Sequence, residues 1–242
     1  KLVSVVFTSN IDGVTNPIKE IAKLAHKNNS LVLVDGAQAV PSMDVNIKEL
    51  DIDFLAFSGH KMMGPTGTGV LYGKKHILEQ MEQFIVGGET VVDSTYESYS
   101  REELPNRFEA GLQDYAGIIG LGEACRYLGK IGQSKIASHE IKINKIISES
   151  LSNNKKISVI GPKEAEKRSG VFSFNIEGIN HHDVAKILDN SKAVLIRSGA
   201  HCAHSWFNNH NLKGSARASF YLYNTEKEAE IFVEEIKKIS SF

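Results

Sequence analysis

The sequence predicts an α/β protein: part of an open, largely parallel sheet, followed by a smaller α+β domain. Three observations predict this. The chain opens on a strand–helix–strand pattern of the βαβ kind. An all-apolar run at residues 31–34 is followed at once by Asp35-Gly36, as at the carboxyl end of a buried strand. From about residue 129, after a long helical stretch, the pattern changes to strands mixed with helices.

Residues 2–7 read as a strand. Residues 17–29 read as a helix, because Pro17 suits a first turn and Ile18, Ile21, Ala22, Leu24 and Ala25 make an apolar stripe. The continuous apolarity of residues 31–34 predicts a parallel strand buried on both faces. Residues 55–57 and 69–72 read as two more strands with a Gly-rich turn between them, and residues 76–83 as a short helix. Residues 86–108 are polar and lack clear periodicity, which predicts a long loop or flap. Residues 114–129 and 134–152 read as helices. Beyond them, 171–176 alternates as a strand and 182–189 reads as a helix. Residues 194–196 and 216–222 read as strands, and 225–239 as an amphipathic helix. The expected division is 1–128 and 129–242.

The 242 residues carry a net charge of −1, so charge makes no case for nucleic acid or an acidic membrane surface as partner. The longest apolar runs are far too short to span a bilayer. Only two cysteines occur, Cys125 and Cys202, which argues against a disulfide framework and for a reducing cytoplasm. The chain has no initiator Met and no signal-peptide pattern, and Lys1 runs straight into a strand. It is expected to be a fragment cut at or just before an internal strand.

Four constellations carry chemistry. Asp35 follows a buried strand directly, where open α/β sheets bind ligands; the plain alternative is a turn or N-cap carboxylate. Lys61 lies in Ser58-Gly59-His60-Lys61, ahead of Gly-Pro-Thr-Gly-Thr-Gly at 64–69. Backbone N–H groups of Gly-rich turns, with hydroxyl and imidazole donors, suit a phosphate dianion, and a lysine beside it can form a Schiff base with a carbonyl. The alternative is a solvent-facing hairpin lysine. Cys202 stands in Arg197-Ser-Gly-Ala-His-Cys-Ala-His204, among positive neighbours that favour a thiolate. A buried structural cysteine, or a metal site with His201 and His204, are the alternatives. Cys125, in an apolar helix, reads as structural. Arg217, on a strand between small residues, could clamp a carboxylate with two parallel bonds or make a surface ion pair.

Taken in order, these strings resemble the class V aminotransferases of pyridoxal-phosphate (PLP) fold type I, and within them the cysteine desulfurases of the Suf branch. The resemblance covers essentially the whole chain. It rests on TSNIDGVTNPI, VDGAQAV, the run ending in Phe57-Ser-Gly-His-Lys61, GPTGTGVLYG, RFEAG, the Arg197–Ala203 string and RASFYLYNT.

The resemblance implies an aspartate aminotransferase-like fold: the C-terminal part of the large domain plus a small α+β C-terminal domain. It implies that Lys61 carries pyridoxal 5′-phosphate covalently and that Asp35 pairs with the pyridinium nitrogen. Gln38 bonds the ring hydroxyl oxygen, and Ser58 and His60 donate to the phosphate. Asn10 and Arg217 hold the substrate carboxylate, Arg197 shapes the same pocket, and Cys202 attacks the substrate sulfur. The function implied is a transferase that turns L-cysteine into L-alanine plus a Cys202 persulfide. A sulfur-acceptor protein would pass that sulfur to iron–sulfur cluster assembly. A cytoplasmic homodimer is implied, with no metal at the site. Selenocysteine lyase or another class V reaction stays open, as does a non-catalytic fragment or binding module.

The chain departs from the pattern at Ala200, where the family commonly has His; at His204-Ser205-Trp206, where Gln-Pro or a relative is usual; and at Leu112, where many members carry a Thr that reaches the neighbouring subunit's phosphate. Family members also have a preceding segment with a Gly-Thr phosphate loop and a ring-stacking His. The isolated chain is therefore expected to be inactive.

Overall fold

The computed structural model describes residues 1–241. The helices are α1 (Ile18–Lys27), α2 (Ile47–Leu50), α3 (Lys75–Leu78), α4 (Tyr115–Ile131), α5 (Gln133–Leu151), α6 (His181–Lys192), α7 (His204–Asn209) and α8 (Glu226–Ile239). The strands are β1 (Leu2–Val6), β2 (Leu31–Asp35), β3 (Phe54–Ser58), β4 (Gly69–Gly73), β5 (Val91–Ser94), β6 (Tyr99–Arg101), β7 (Ile157–Ile160), β8 (Val171–Ile176), β9 (Arg197–Gly199) and β10 (Ser215–Ser219). They pack as two compact units. One comprises Lys1–Val5, Ile18–Ala37 and Asn46–Lys130; the other comprises Val6–Pro17, Gln38–Val45 and Ile131–Phe242.

The first unit is built on a sheet of order β1-β2-β3-β4. β2 and β3 run parallel, with Asp35 opposite Ala56, and β4 returns antiparallel, with Gly69 opposite Ser58. α1 forms because Ile18, Ala22 and Ala25 recur at helical spacing and are buried together. The full burial expected of residues 31–34 is corrected. Val32 and Val34 are buried, Leu33 is intermediate and Leu31 is exposed, so β2 alternates as a strand with one well-covered face does. Directly before β3, Asp53, nearly fully buried, accepts the Val32 amide (2.7 Å) and pairs with His26 (2.8 Å) and Lys74 (2.9 Å). Those three partners hold its carboxyl below the ordinary range against the cost of burial. The expected flap at 86–108 contains the β5–β6 hairpin, closed where the Thr95 amide bonds Ser98 O (2.8 Å).

The second unit is an antiparallel sheet of order β7-β8-β10-β9. β8 is central, and five of its six residues are buried. Phe172 and Phe174 project from it onto Phe232 of α8, with ring centroids 6.5 and 5.9 Å apart. Ile143, Ile147, Val184, Leu188, Val233 and Ile236 complete this core from α5, α6 and α8. α8 starts at a reciprocal cap: Thr225 Oγ1 accepts the Glu228 amide (3.2 Å), and the Glu228 carboxylate accepts the Thr225 amide (2.6 Å).

The strand expected at 194–196 is corrected to β9 at Arg197–Gly199. Val194 and Ile196 pack on the core without entering the ladder, and Leu195 is exposed. Pairing instead falls on Arg197 opposite Arg217 and Gly199 opposite Ser215. Apolar character marked the approach to the strand, whereas hydrogen bonding selects the polar residues after it. β10 likewise ends at Ser219, before the turn in which the Tyr221 amide bonds Asn224 Oδ1 (2.9 Å). β7 and α7 had no expectation in the sequence.

Candidate active site

Four of the expected site residues lie in the first unit, at the carboxyl ends of β2 and β3. This is where parallel α/β sheets take ligands. Asp35 ends β2, exposed, with Oδ1 accepting the Ala37 amide (2.9 Å). Ser58 ends β3, and the chain then makes a single helical turn, Gly59–Met62, bearing exposed His60 and half-buried Lys61. Met62, the last residue of that turn, is buried.

The glycines have a steric reason. The Gly59 amide donates to Thr68 O (2.8 Å), and a Cβ on Gly59 would sit 2.1 Å from Thr68 Oγ1. A Cβ on Gly64 would meet Gly59 O and Leu121, each at 2.9 Å. The loop Pro65–Thr68 thus closes tightly against the turn carrying Lys61, with Thr68 Oγ1 donating to Pro65 O (2.7 Å). A carboxylate acceptor, a hydroxyl, an imidazole and a primary amine therefore share one edge of one sheet. Such a set suits a ligand with an anionic group, a ring nitrogen and a carbonyl.

The other expected residues, Asn10, Gln38, Arg197, Cys202 and Arg217, lie in the second unit. Gln38 is half-buried in the turn at 37–42. Cys202 is exposed, directly after His201 and three residues past the end of β9 at Gly199, and Arg197 Nη2 donates to its Sγ at 3.0 Å. Arg217 Nη1 donates to Asn10 O (2.8 Å) and its Nε to Ser219 Oγ (3.1 Å). Asn10 Nδ2 donates to His201 O (2.8 Å). Burial and the adjacent Arg197 push the Arg217 guanidinium pKa down, and Cys202 opposes them. The loop after β9 seats Ala200, Ala203, Trp206 and Phe207 on Ile11 and Ile160. Ala200 and Trp206, two departures from the family pattern, are thus apolar packing contacts.

Two expectations about neighbours are corrected. His201 is not a positive neighbour of Cys202. It is buried, its Nε2 lies 2.8 Å from Ser215 Oγ, and burial with Arg217 and Arg197 pushes its pKa down to about 4. Cys125 is not buried: Gly117, Leu121, Ala124 and Leu128 form the inward stripe of α4, and Cys125 falls one position off it, exposed. Ser215 was not singled out in the sequence. A lone serine preceding Ala-Arg carries no local signal, and its role depends on a histidine fourteen residues away.

Comparison with known proteins gives one answer. The family Aminotransferase class-V matches residues 1–232. A probable cysteine desulfurase of Halalkalibacterium halodurans is 43% identical over 247 residues, covering 100% of this chain and 59% of that protein. A cysteine desulfurase of Haloferax volcanii is 42% identical, covering 98% of the chain and 55% of that protein. Among solved structures, the apo cysteine desulfurase from Thermococcus onnurineus NA1 superposes with a TM-score of 0.95 at 40% identity, over 100% of this chain and 60% of that one. A cysteine desulfurase from Escherichia coli gives 0.93 at 29% identity, over 98% and 58%. The chain thus spans a little over half the length of the relatives it matches.

Proposed function

Because the chain belongs to the class V aminotransferase family and has the type I fold of PLP-dependent enzymes, we propose that the protein is a cysteine desulfurase. It converts L-cysteine to L-alanine and keeps the sulfur as a persulfide on Cys202. The observation that carries the reading is a thiol exposed on a short loop with a guanidinium donor 3.0 Å from its sulfur. A transaminase has no use for that thiol.

The residues of the first unit fit PLP by their chemistry. Lys61 offers the amine that holds it, Ser58 and His60 offer donors for its phosphate, and Asp35 offers a carboxylate for its ring nitrogen. Gln38 is assigned to the ring hydroxyl. When bound, PLP supplies an electron sink for negative charge at the substrate α-carbon.

The chain's own residues do the rest. Lys61 Nζ accepts the substrate α-proton and later returns a proton. Arg217 keeps its Nη2 donors for the substrate carboxylate, with Asn10 beside it and Arg197 shaping the pocket. Cys202 Sγ attacks the substrate sulfur. A sulfur–sulfur bond forms, the carbon–sulfur bond breaks with its electron pair left on carbon, and protonation there completes alanine.

A sulfur-acceptor protein then takes the terminal sulfur for iron–sulfur cluster assembly. We assign the enzyme to the cytoplasm as a homodimer. Among the described residues no helix is long and apolar enough to cross a membrane. Along the chain we propose 1–128 and 129–242 as the domain division, with residues 6–17 and 38–45 packing in the second compact unit.

The test is turnover by the whole protein loaded with PLP. Wild type is expected to release alanine from L-cysteine and to carry one extra sulfur on the Cys202 peptide. Cys202→Ser is expected to keep cofactor absorbance and lose alanine formation by at least about 100-fold, as removal of a nucleophile does. Undiminished alanine formation by that variant overturns the persulfide mechanism.

A further inference from the structure

We propose that His201 is a positioning residue for Cys202: a buried, neutral strut that fixes the loop on which the thiol is presented. The inference rests on the reading of Cys202 as the attacking thiol and goes beyond it.

Backbone conformation is the starting point. His201 and Cys202 are consecutive residues with positive φ, +49° and +65°. Neither is glycine, and two left-handed residues in a row persist only where surroundings compel them. The restraints can be followed bond by bond. Asn10 Nδ2 donates to His201 O (2.8 Å), and Asn10 is itself held through its own carbonyl by Arg217 Nη1 (2.8 Å). The His201 ring sits opposite Ser215 Oγ (2.8 Å), on the strand paired with β9, where Ser215 faces Gly199. The ring also meets Phe207 edge-on, 5.8 Å between centroids, which ties the loop to α7. Ala203 N closes the turn on Ala200 O (2.8 Å). Cys202 itself is exposed, and Arg197 Nη2 donates to its sulfur at 3.0 Å. The loop is therefore aimed from residue 201.

The ring's state follows from its surroundings. His201 is 1% exposed, and its Nδ1 has no hydrogen-bond partner among the described residues. A buried N–H without an acceptor costs more than a buried lone pair without a donor. Nε2 therefore carries the hydrogen, donating to Ser215 Oγ, and Nδ1 is left as a bare lone pair. A second proton would have no acceptor and would face Arg217, Arg197 and His181. The ring stays neutral through the working pH range. It holds geometry without competing with Arg197 for negative charge on sulfur.

Three variants in the whole, PLP-loaded protein test this. His201→Leu keeps apolar volume and removes the bond. His201→Gln keeps a donor near Ser215. Ser215→Ala removes the partner and leaves the histidine. His201→Leu is expected to lower kcat about 10–100-fold, the scale of a misplaced reacting group, with KM for cysteine changed less than about threefold. His201→Gln is expected to recover kcat to within about fivefold of wild type, and Ser215→Ala to fall in between.

Backbone hydrogen exchange of the peptide spanning residues 198–207 gives a readout independent of turnover. It is expected to quicken in His201→Leu and Ser215→Ala while other peptides of the same unit keep their rates. If His201→Leu does not fold, Ser215→Ala carries the decision alone. An unchanged kcat, a loss confined to KM, or unchanged exchange at 198–207 in the folded variants overturns the proposal. Absence of alanine formation by wild type would instead overturn the desulfurase reading, and the exchange data would still judge His201.

Discussion

Burial and the guanidinium groups of Arg217 and Arg197 hold the His201 ring at about 4 instead of its ordinary 6.5. The unfolded chain therefore binds more protons than the folded one between those values. Stability contributed by the neutral ring is present above 6.5 and lost as pH falls through 4, at most about 3 kcal/mol. His181, also pushed down by burial and by His182, acts with the same sign. Glu140 on α5 acts with the opposite sign. It is 3% exposed and accepts bonds from Ser42 Oγ (2.6 Å) and the Gly170 amide (3.0 Å), yet burial raises its carboxyl from 4.5 to about 6. Its contribution is full below 4.5 and lost as pH rises through 6. Glu140→Gln keeps an acceptor for Gly170 and turns a donor toward Ser42, whose hydroxyl can accept. The variant is expected to be more stable than wild type at pH 7.5 by up to about 2 kcal/mol. It should also lose stability more steeply between pH 6 and 4.5, because the histidines then act unopposed. Urea unfolding across that range checks both, and a less stable variant at pH 7.5 refutes the argument. None of this was legible locally: Glu140 meets a serine 98 residues away, and Asn10 meets His201 across 191. Lys61, Asp35 and Cys202 stand out in the sequence because each lies in a short string beside a strand end.

Between β3 and β4 the chain must turn within Gly59–Thr68 while presenting Lys61, and the sequence meets that demand with glycines. Gly59→Ala puts a methyl into Thr68 Oγ1 and breaks its bond to Pro65 O. The sheet beneath is untouched, so thermal stability is expected to fall by only about 1–2 kcal/mol. The lysine turn shifts, however, and affinity for PLP is expected to drop at least about tenfold in an absorbance titration. Adding Thr68→Ala removes the 2.1 Å clash and leaves only 3.2 Å approaches to the Thr68 Cβ and O, so the double variant should regain most of that affinity. Equal weakness of single and double variants would show that the clash is not the cause. Such turns were legible because glycine and proline act through local sterics. β9 was misplaced for the converse reason. Its ladder is chosen by pairing with β10, and Arg-Ser-Gly carries no strand signal of its own.

At the scale of the chain, each compact unit has residues that are not contiguous. Val6–Pro17 and Gln38–Val45 belong with Ile131–Phe242, so Asn10 and Gln38 fold with Arg197, Cys202 and Arg217. Periodicity read along a sequence cannot show this, because it depends on which loop packs on which core. The second unit nevertheless has a core of its own, with Phe172 and Phe174 fully buried and Phe232 4% exposed. Units with separate cores are able to open separately. Phe174→Ala deletes a ring at the centre of one of them and is expected to cost about 3–5 kcal/mol there. Hydrogen exchange should then accelerate together in β7, β8, β10, α5, α6 and α8. It should accelerate equally in residues 6–17, because Ser173 Oγ, one residue away on β8, donates to Ile11 O, and the Ser169 amide donates to Gly13 O (2.9 Å). Amides of β2 and β3, whose ladder and buried Val32, Val34 and Leu55 belong to the other unit, should keep their protection. Equal loss in β2 and β3 would mean that the molecule opens as one cooperative body. Loss confined to β8 and its helices, with 6–17 still protected, would mean that the segment carrying Asn10 does not fold with the thiol loop, and would remove the first of the restraints on which the placement of Cys202 depends.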